Sequence, residues 1–139
     1  MVQNQKNRSI EIHDSILDAL HVEGGDAVLH FSHLYIHESE GHPGVDPGTG
    51  WGQAGKLTIR SAVIEGSLSE WPADVHDGHI ATGGLLYENE IPIALDFEGK
   101  IELRLESWSD AISITGKGAK LELIGEATYI EEFRPSKKV

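Results

Sequence analysis

The sequence predicts an all-β fold, an antiparallel β-sandwich or partly closed barrel of about seven to ten strands with little helix. Three observations point there. Apolar residues recur at every second position through the C-terminal half, as on half-buried strands. Gly-containing turn signals interrupt the chain about every 8 to 15 residues, and no segment carries an unambiguous helical stripe.

The N-terminal third satisfies two templates. Ala27, Val28, Phe31, Leu34 and Tyr35 fit a helical stripe, whereas Leu29, Phe31, His33, Tyr35 and His37 fit one face of a strand. The strand is preferred, because EGGD at 23–26 reads as a turn between two apolar runs rich in β-branched and aromatic residues. KLTIRSAVIEGSLS then reads as one long strand with Leu57, Ile59 and Val63 on one face. A small helix fits between Trp71 and Asp77, and HIATGGLLY reads as a shorter, Gly-kinked strand.

Residues 91–133 read as a four-stranded meander. Ile91, Ile93, Leu95 and Phe97 alternate with polar or small residues, EGK at 98–100 signals a turn, and Ile101, Leu103 and Leu105 resume the alternation. Ile112 and Ile114 repeat it, GKGAK at 116–120 supplies another turn, and Leu121 and Leu123 follow. Gly125 marks a bulge or a close backbone approach.

The chain of 139 residues fits a single domain, with residues 1–9 and 134–139 expected as flexible tails. No apolar run reaches the roughly 20 residues of a membrane span, and residues 1–9 lack the apolar stretch of an export signal, so a cytoplasmic setting is expected. The absence of cysteine excludes disulfides and thiolate metal ligands. A formal net charge of -12 argues against nucleic acid, and it fits solubility alone better than it selects a basic protein partner or a cation; the expected partner is a basic protein or a small ligand. The only basic cluster is Arg134, Lys137 and Lys138.

Two segments hold candidate chemistry. The first is HFSHLYIHESEGHPGVDPGTGWG, residues 30–52. Regular strand alternation puts His30 on one face and His33 and His37 on the other, the latter two about 13 Å apart at roughly 3.3 Å per residue. Residues 39–52 read as a long Gly/Pro loop, in which His42 and Asp46 offer polar contacts and Trp51 a flat apolar face to a ligand. The GxGxxG spacing and the P-loop lysine are missing, so no nucleotide cofactor is expected. The second segment is EWPADVHDGHI, with Asp74, His76, Asp77 and His79. If the two segments meet in space, His37, His42, His76, Asp77 and His79 are the candidate ligands of a divalent metal. No nucleophile elbow is present, and Glu102, Arg104 and Glu106 read as a solvated strand face.

IEIHDSILDALHVEGGDAVLHF resembles the opening of several small bacterial all-β families of unknown or immunity-type function, in which a His-Asp pair begins the first strand and a Gly-containing turn leads to the second. KLELIGEATYIEEF is similar to their last strands. HFSHLYIHE is similar to the H-x-H-x₃₋₄-E metal motif of cupins in composition, but its spacing is H-x-x-H-x-x-x-H-E and no second motif follows. The expected function is an acidic all-β binding or immunity-type protein acting through the Gly/Pro loop. The alternative is a metal-dependent β-barrel or sandwich enzyme using the His/Asp residues.

Overall fold

The computed structural model describes residues 7–134, and every regular element among them is a strand. No helix long and apolar enough to cross a membrane occurs among these residues. The strands are β1 (Asn7–Glu23), β2 (Asp26–Ser39), β3 (Gly48–Arg60), β4 (Val63–Gly66), β5 (Ala73–Val75), β6 (Asp77–Thr82), β7 (Leu85–Glu88), β8 (Glu90–Pro92), β9 (Asp96–Glu106) and β10 (Ala111–Phe133). They form one antiparallel sheet in the order β5-β1-β2-β3-β10-β9-β6-β7, with β4 also on β10 and β8 also on β1.

The sheet curls into a half-barrel around an aliphatic core in which Ile10, Leu29, Leu57, Ile59, Leu103 and Ile114 are fully buried. Asn89 bridges β1 and β6, which lie far apart in the strand order. Its N–H donates to the Gly78 carbonyl of β6 (2.8 Å), and its carbonyl accepts the Ile12 N–H of β1 (3.1 Å). Its side-chain Oδ1 accepts the His13 N–H (2.7 Å), a geometry reached at a φ of 55°. Gly78 is needed at this junction, because a Cβ there would run into the Arg104 carbonyl and Ile12.

Gly24 and Gly25, with φ of 57° and 87°, turn β1 into β2 where EGGD signals it; positive φ at both central residues matches the twist of the flanking strands. Strand alternation in β2 is not regular, however. Phe31 opposes Gly55 and Leu34 opposes Gln53, so β2 carries one extra residue there. Leu29, Phe31, Leu34 and Ile36 therefore all enter the core. His37 moves with Tyr35 to the opposite, outer face, which it shares with His30 instead of being separated from it.

Several expected boundaries shift. EGK at 98–100 and GKGAK at 116–120 are not turns; they lie inside β9 and β10. Gly116 and Gly118 serve close approach: a Cβ at Gly116 would strike Ile59, and one at Gly118 the Arg60 guanidinium. Arg60 crosses there to the Phe97 carbonyl (3.1 Å) and Glu98 (2.6 Å). Residues 91–97 divide between β8 and β9, because Ala94 turns the chain at a φ of 67°. Gly125 does mark a bulge, between Ile124 and Thr128.

KLTIRSAVIEGSLS is broken at Ser61 (φ 51°) into β3 and β4, which follow one another along the same edge of β10. The break takes Val63 off the Leu57 and Ile59 face and leaves it exposed. HIATGGLLY is a hairpin, β6 to β7, rather than a kinked strand. No helix forms at Trp71 to Asp77; a cis Trp71-Pro72 bond leads into β5. Asn7, Arg8 and Ser9 belong to β1, so the expected N-terminal tail is shorter than residues 1–9, and residues 1–6 and 135–139 of the expected tails lie outside the described residues.

Candidate functional site

The Gly/Pro loop is confined to residues 40–47, because Gly48 already begins β3. Its own polar groups tie it down. Ser39 Oγ donates to the Pro47 carbonyl (2.9 Å) and accepts from the Gly41 N–H (3.0 Å). Asp46 accepts the His42 N–H (2.6 Å) and returns its own N–H to the His42 carbonyl (2.8 Å). Asp46 is thus the internal brace of the loop. Trp51 lies in β3 opposite Ile36, packed against the core, edge-on to Tyr129 (5.3 Å) and donating to Thr49 Oγ1 (2.8 Å).

Under the loop, on the outer face, is a pocket of about 210 Å³. His42 and Gly44 border it from the loop, Ser9 and Glu11 from β1, Glu90 from β8, and His37 from β2. His37 is only 6% exposed. Its Nε2 meets Glu11 Oε2 at 2.8 Å, and its ring is held edge-on by Tyr35 (4.8 Å) and Phe133 (4.7 Å). Its Nδ1 is buried without a hydrogen-bond partner among the described residues.

The electrostatics follow from this packing. Burial pushes the Glu11 carboxyl up, but the hydrogen bond and charge of His37, the charge of His13 and the Asn89 amide together hold it below its usual value. Glu11 is therefore a carboxylate near neutral pH, and the proton of the shared hydrogen bond belongs to His37 Nε2. Tyr35 donates to Glu131 (2.7 Å); burial first, then the Glu131 hydrogen bond and the surrounding carboxylate charges, raise its phenol well above the ordinary range.

Room for these rings comes from a stripe of glycines. Gly48, Gly50 and Gly52 occupy alternate positions of β3, opposite Ser39, His37 and Tyr35. A Cβ at Gly50 would collide with the Tyr35 hydroxyl, and one at Gly52 with the His33 ring. These glycines are the floor of an aromatic layer rather than loop hinges.

The second histidine segment goes elsewhere. His76 donates twice toward β9, its backbone N–H to the Glu106 carbonyl (2.9 Å) and its Nδ1 to the same oxygen (3.1 Å). Its ring stacks on Trp108 at 4.5 Å. His79 pairs with Glu102 (3.3 Å), and Asp77 accepts the Gly78 N–H (2.8 Å). Asp74 and His76 border a different depression, together with His13, Asp14 and Trp108.

The proposed ligand set of His37, His42, His76, Asp77 and His79 is thus divided: the first two share the loop pocket, and the other three face β9 or their own strand. No group of three or more His, Asp or Glu able to hold a metal ion exists among the described residues. The residues that complete the loop pocket, Ser9, Glu11, Asn89 and Glu90, are ones the sequence reading did not single out. The alternation Ile10-Glu11-Ile12 signals that Glu11 faces away from the core; nothing local signals that the segment at 88–90 crosses beside it. Comparison with protein families, curated proteins and solved structures found no match to this chain.

Proposed function

We propose that the chain is a binding module whose loop-covered pocket receives a cationic N–H donor, the ammonium or guanidinium group of a basic protein partner or of a small amine. The observation that carries this is the lining. Glu11, Glu88 and Glu90 face the pocket, and no Lys or Arg does so among the described residues. Two side-chain donors beside these carboxylates are already engaged: Ser9 Oγ to Glu90 (2.7 Å) and Asn89 Nδ2 to Glu11 (3.4 Å).

A site of fixed acceptors favours a group that offers several donors and a positive charge. The net charge of -12 adds long-range attraction for such a partner. The small volume suits a side-chain head group, not a nucleotide or an extended cofactor.

The test is an NMR titration with N-acetyl-arginine amide, against N-acetyl-citrulline amide as the neutral isostere. The arginine probe is expected to move the His37, Glu11 and Gly44 resonances saturably, with affinity falling as salt rises. Glu90→Gln is expected to weaken it. Equal response to the citrulline probe would remove the electrostatic basis of this reading.

A further inference from the structure

The depression bordered by His13, Asp14, Asp74, His76 and Trp108 measures about 260 Å³ and has no part in the pocket beneath the loop. Trp108 is 79% exposed, an unusual position for the largest apolar side chain. It is nonetheless fixed in place. One face of the indole stacks on His76 with 17° between the planes.

The turn that presents Trp108 is pinned by Asp110. Its carboxylate accepts Ser109 Oγ (2.6 Å), Ser69 N–H (3.1 Å) and Ser107 Oγ (3.2 Å). The opposite indole face is left to solvent. An open indole face attracts organic cations through its quadrupole.

The polar groups around it are also acceptors. His76 Nδ1 donates to the Glu106 carbonyl (3.1 Å), which leaves Nε2 as a lone pair in the neutral ring. His13 Nδ1 pairs with Asp14 Oδ2 (3.1 Å), which leaves its Nε2 in the same condition. Asp14 and Asp74 supply carboxylates.

The depression continues the first pocket along β1. The pocket beneath the loop takes Ser9 to Glu11 from that strand, and this one takes His13 to Ile16. Asn89 joins them, contacting Glu11 through its amide nitrogen and the His13 N–H through its amide oxygen.

We infer that Trp108, His76, Asp74 and Asp14 form a second cation subsite, so that the partner is an extended basic peptide segment carrying two cationic side chains. This rests on the cation-binding reading of the first pocket. β1 bulges between Glu11 and Ile16, where Ser15 Oγ donates back to the Glu11 carbonyl (3.0 Å), so Glu11 and Asp14 stand closer than extended spacing and within reach of two side chains of one short peptide.

Calorimetry with acetyl-Arg-Gly-Gly-Arg-amide tests it, beside N-acetyl-arginine amide and two peptides in which either arginine is replaced by citrulline. Joining two subsites is expected to make the two-arginine peptide bind at least tenfold tighter than the single arginine probe. Either citrulline peptide is expected to lose that gain, as are Trp108→Ala and Asp74→Asn, both changes at exposed positions. A peptide no tighter than the single probe, or a gain that survives both variants, overturns the second subsite while leaving the first. Absence of binding by the arginine probe overturns both.

Discussion

Glu11 and His37 form a largely buried pair that contributes one carboxylate to the charge of the pocket. A carboxyl whose folded pKa lies below its unfolded value stabilises the fold above that unfolded value, 4.5 here, and the contribution is lost as the pH falls through the folded value. Thermal unfolding midpoints are therefore expected to fall as the pH drops below about 4.5. Glu11→Gln should flatten that acid limb relative to the native chain. An identical pH profile for the variant would show that Glu11 is not the group responsible. Tyr35 has the opposite sense: its raised phenol contributes stability that is complete below 10 and lost as the pH rises toward the folded value.

At the scale of elements, glycine placement decides which face of β3 accepts aromatic rings. Gly50→Ala puts a methyl group where the Tyr35 hydroxyl lies, and Tyr35 is buried and bonded to Glu131. The substitution is expected to cost about 1–3 kcal/mol by overpacking. Gly84→Ala, with open space around the new methyl, should change stability by no more than about 0.5 kcal/mol. Urea denaturation of the two variants checks the contrast.

Asn89→Ala removes the acceptor of the His13 N–H and leaves alanine in a left-handed conformation. It should cost about 1–3 kcal/mol and raise hydrogen exchange at Ile12 and His13 first. Exchange that rises uniformly across all strands would instead mean that Asn89 does not close the barrel locally.

For the whole molecule, stability resides in one aliphatic core that the curled sheet surrounds. Leu103→Ala, at a fully buried site, is expected to cost about 2–5 kcal/mol by transfer and cavity terms together. Metal is not needed to account for the fold, whose strands meet through backbone ladders and aliphatic packing. A chelator is accordingly expected to leave the melting temperature unchanged; a fall on adding EDTA, restored by zinc, would reveal a linked metal site.

Local pattern was enough to determine the class of fold, because strand alternation and the Gly24-Gly25 turn depend on residues adjacent in the chain. The outward position of Glu11 was legible for the same reason, but in β2 alternation carried only as far as Leu29 and Phe31, since Leu34 and Ile36 enter the core where His33, Tyr35 and His37 were expected to share their face. Glycines were ambiguous: the same residue serves a turn at 24–25 and a close strand crossing at 116 and 118, and only the neighbour across the sheet distinguishes the two. The bulge after Phe31 was equally hidden, since an extra residue in one strand is defined by its partner strand. It is this bulge that turns His37 from its expected place toward Glu11.

The functional residues follow the same division. The sequence marked His37 and His42 and placed the Gly/Pro loop near them, but joined them to His76, Asp77 and His79, which the curl of the sheet carries to β9. Ser9, Glu11, Asn89 and Glu90 meet at the pocket from strands far apart in the chain. Such a meeting is set by sheet order and barrel closure, which no local spacing encodes. The sequence by itself determined that these residues fold into strands with an acidic, histidine-bearing outer face; only the tertiary structure decided which of those side chains stand together.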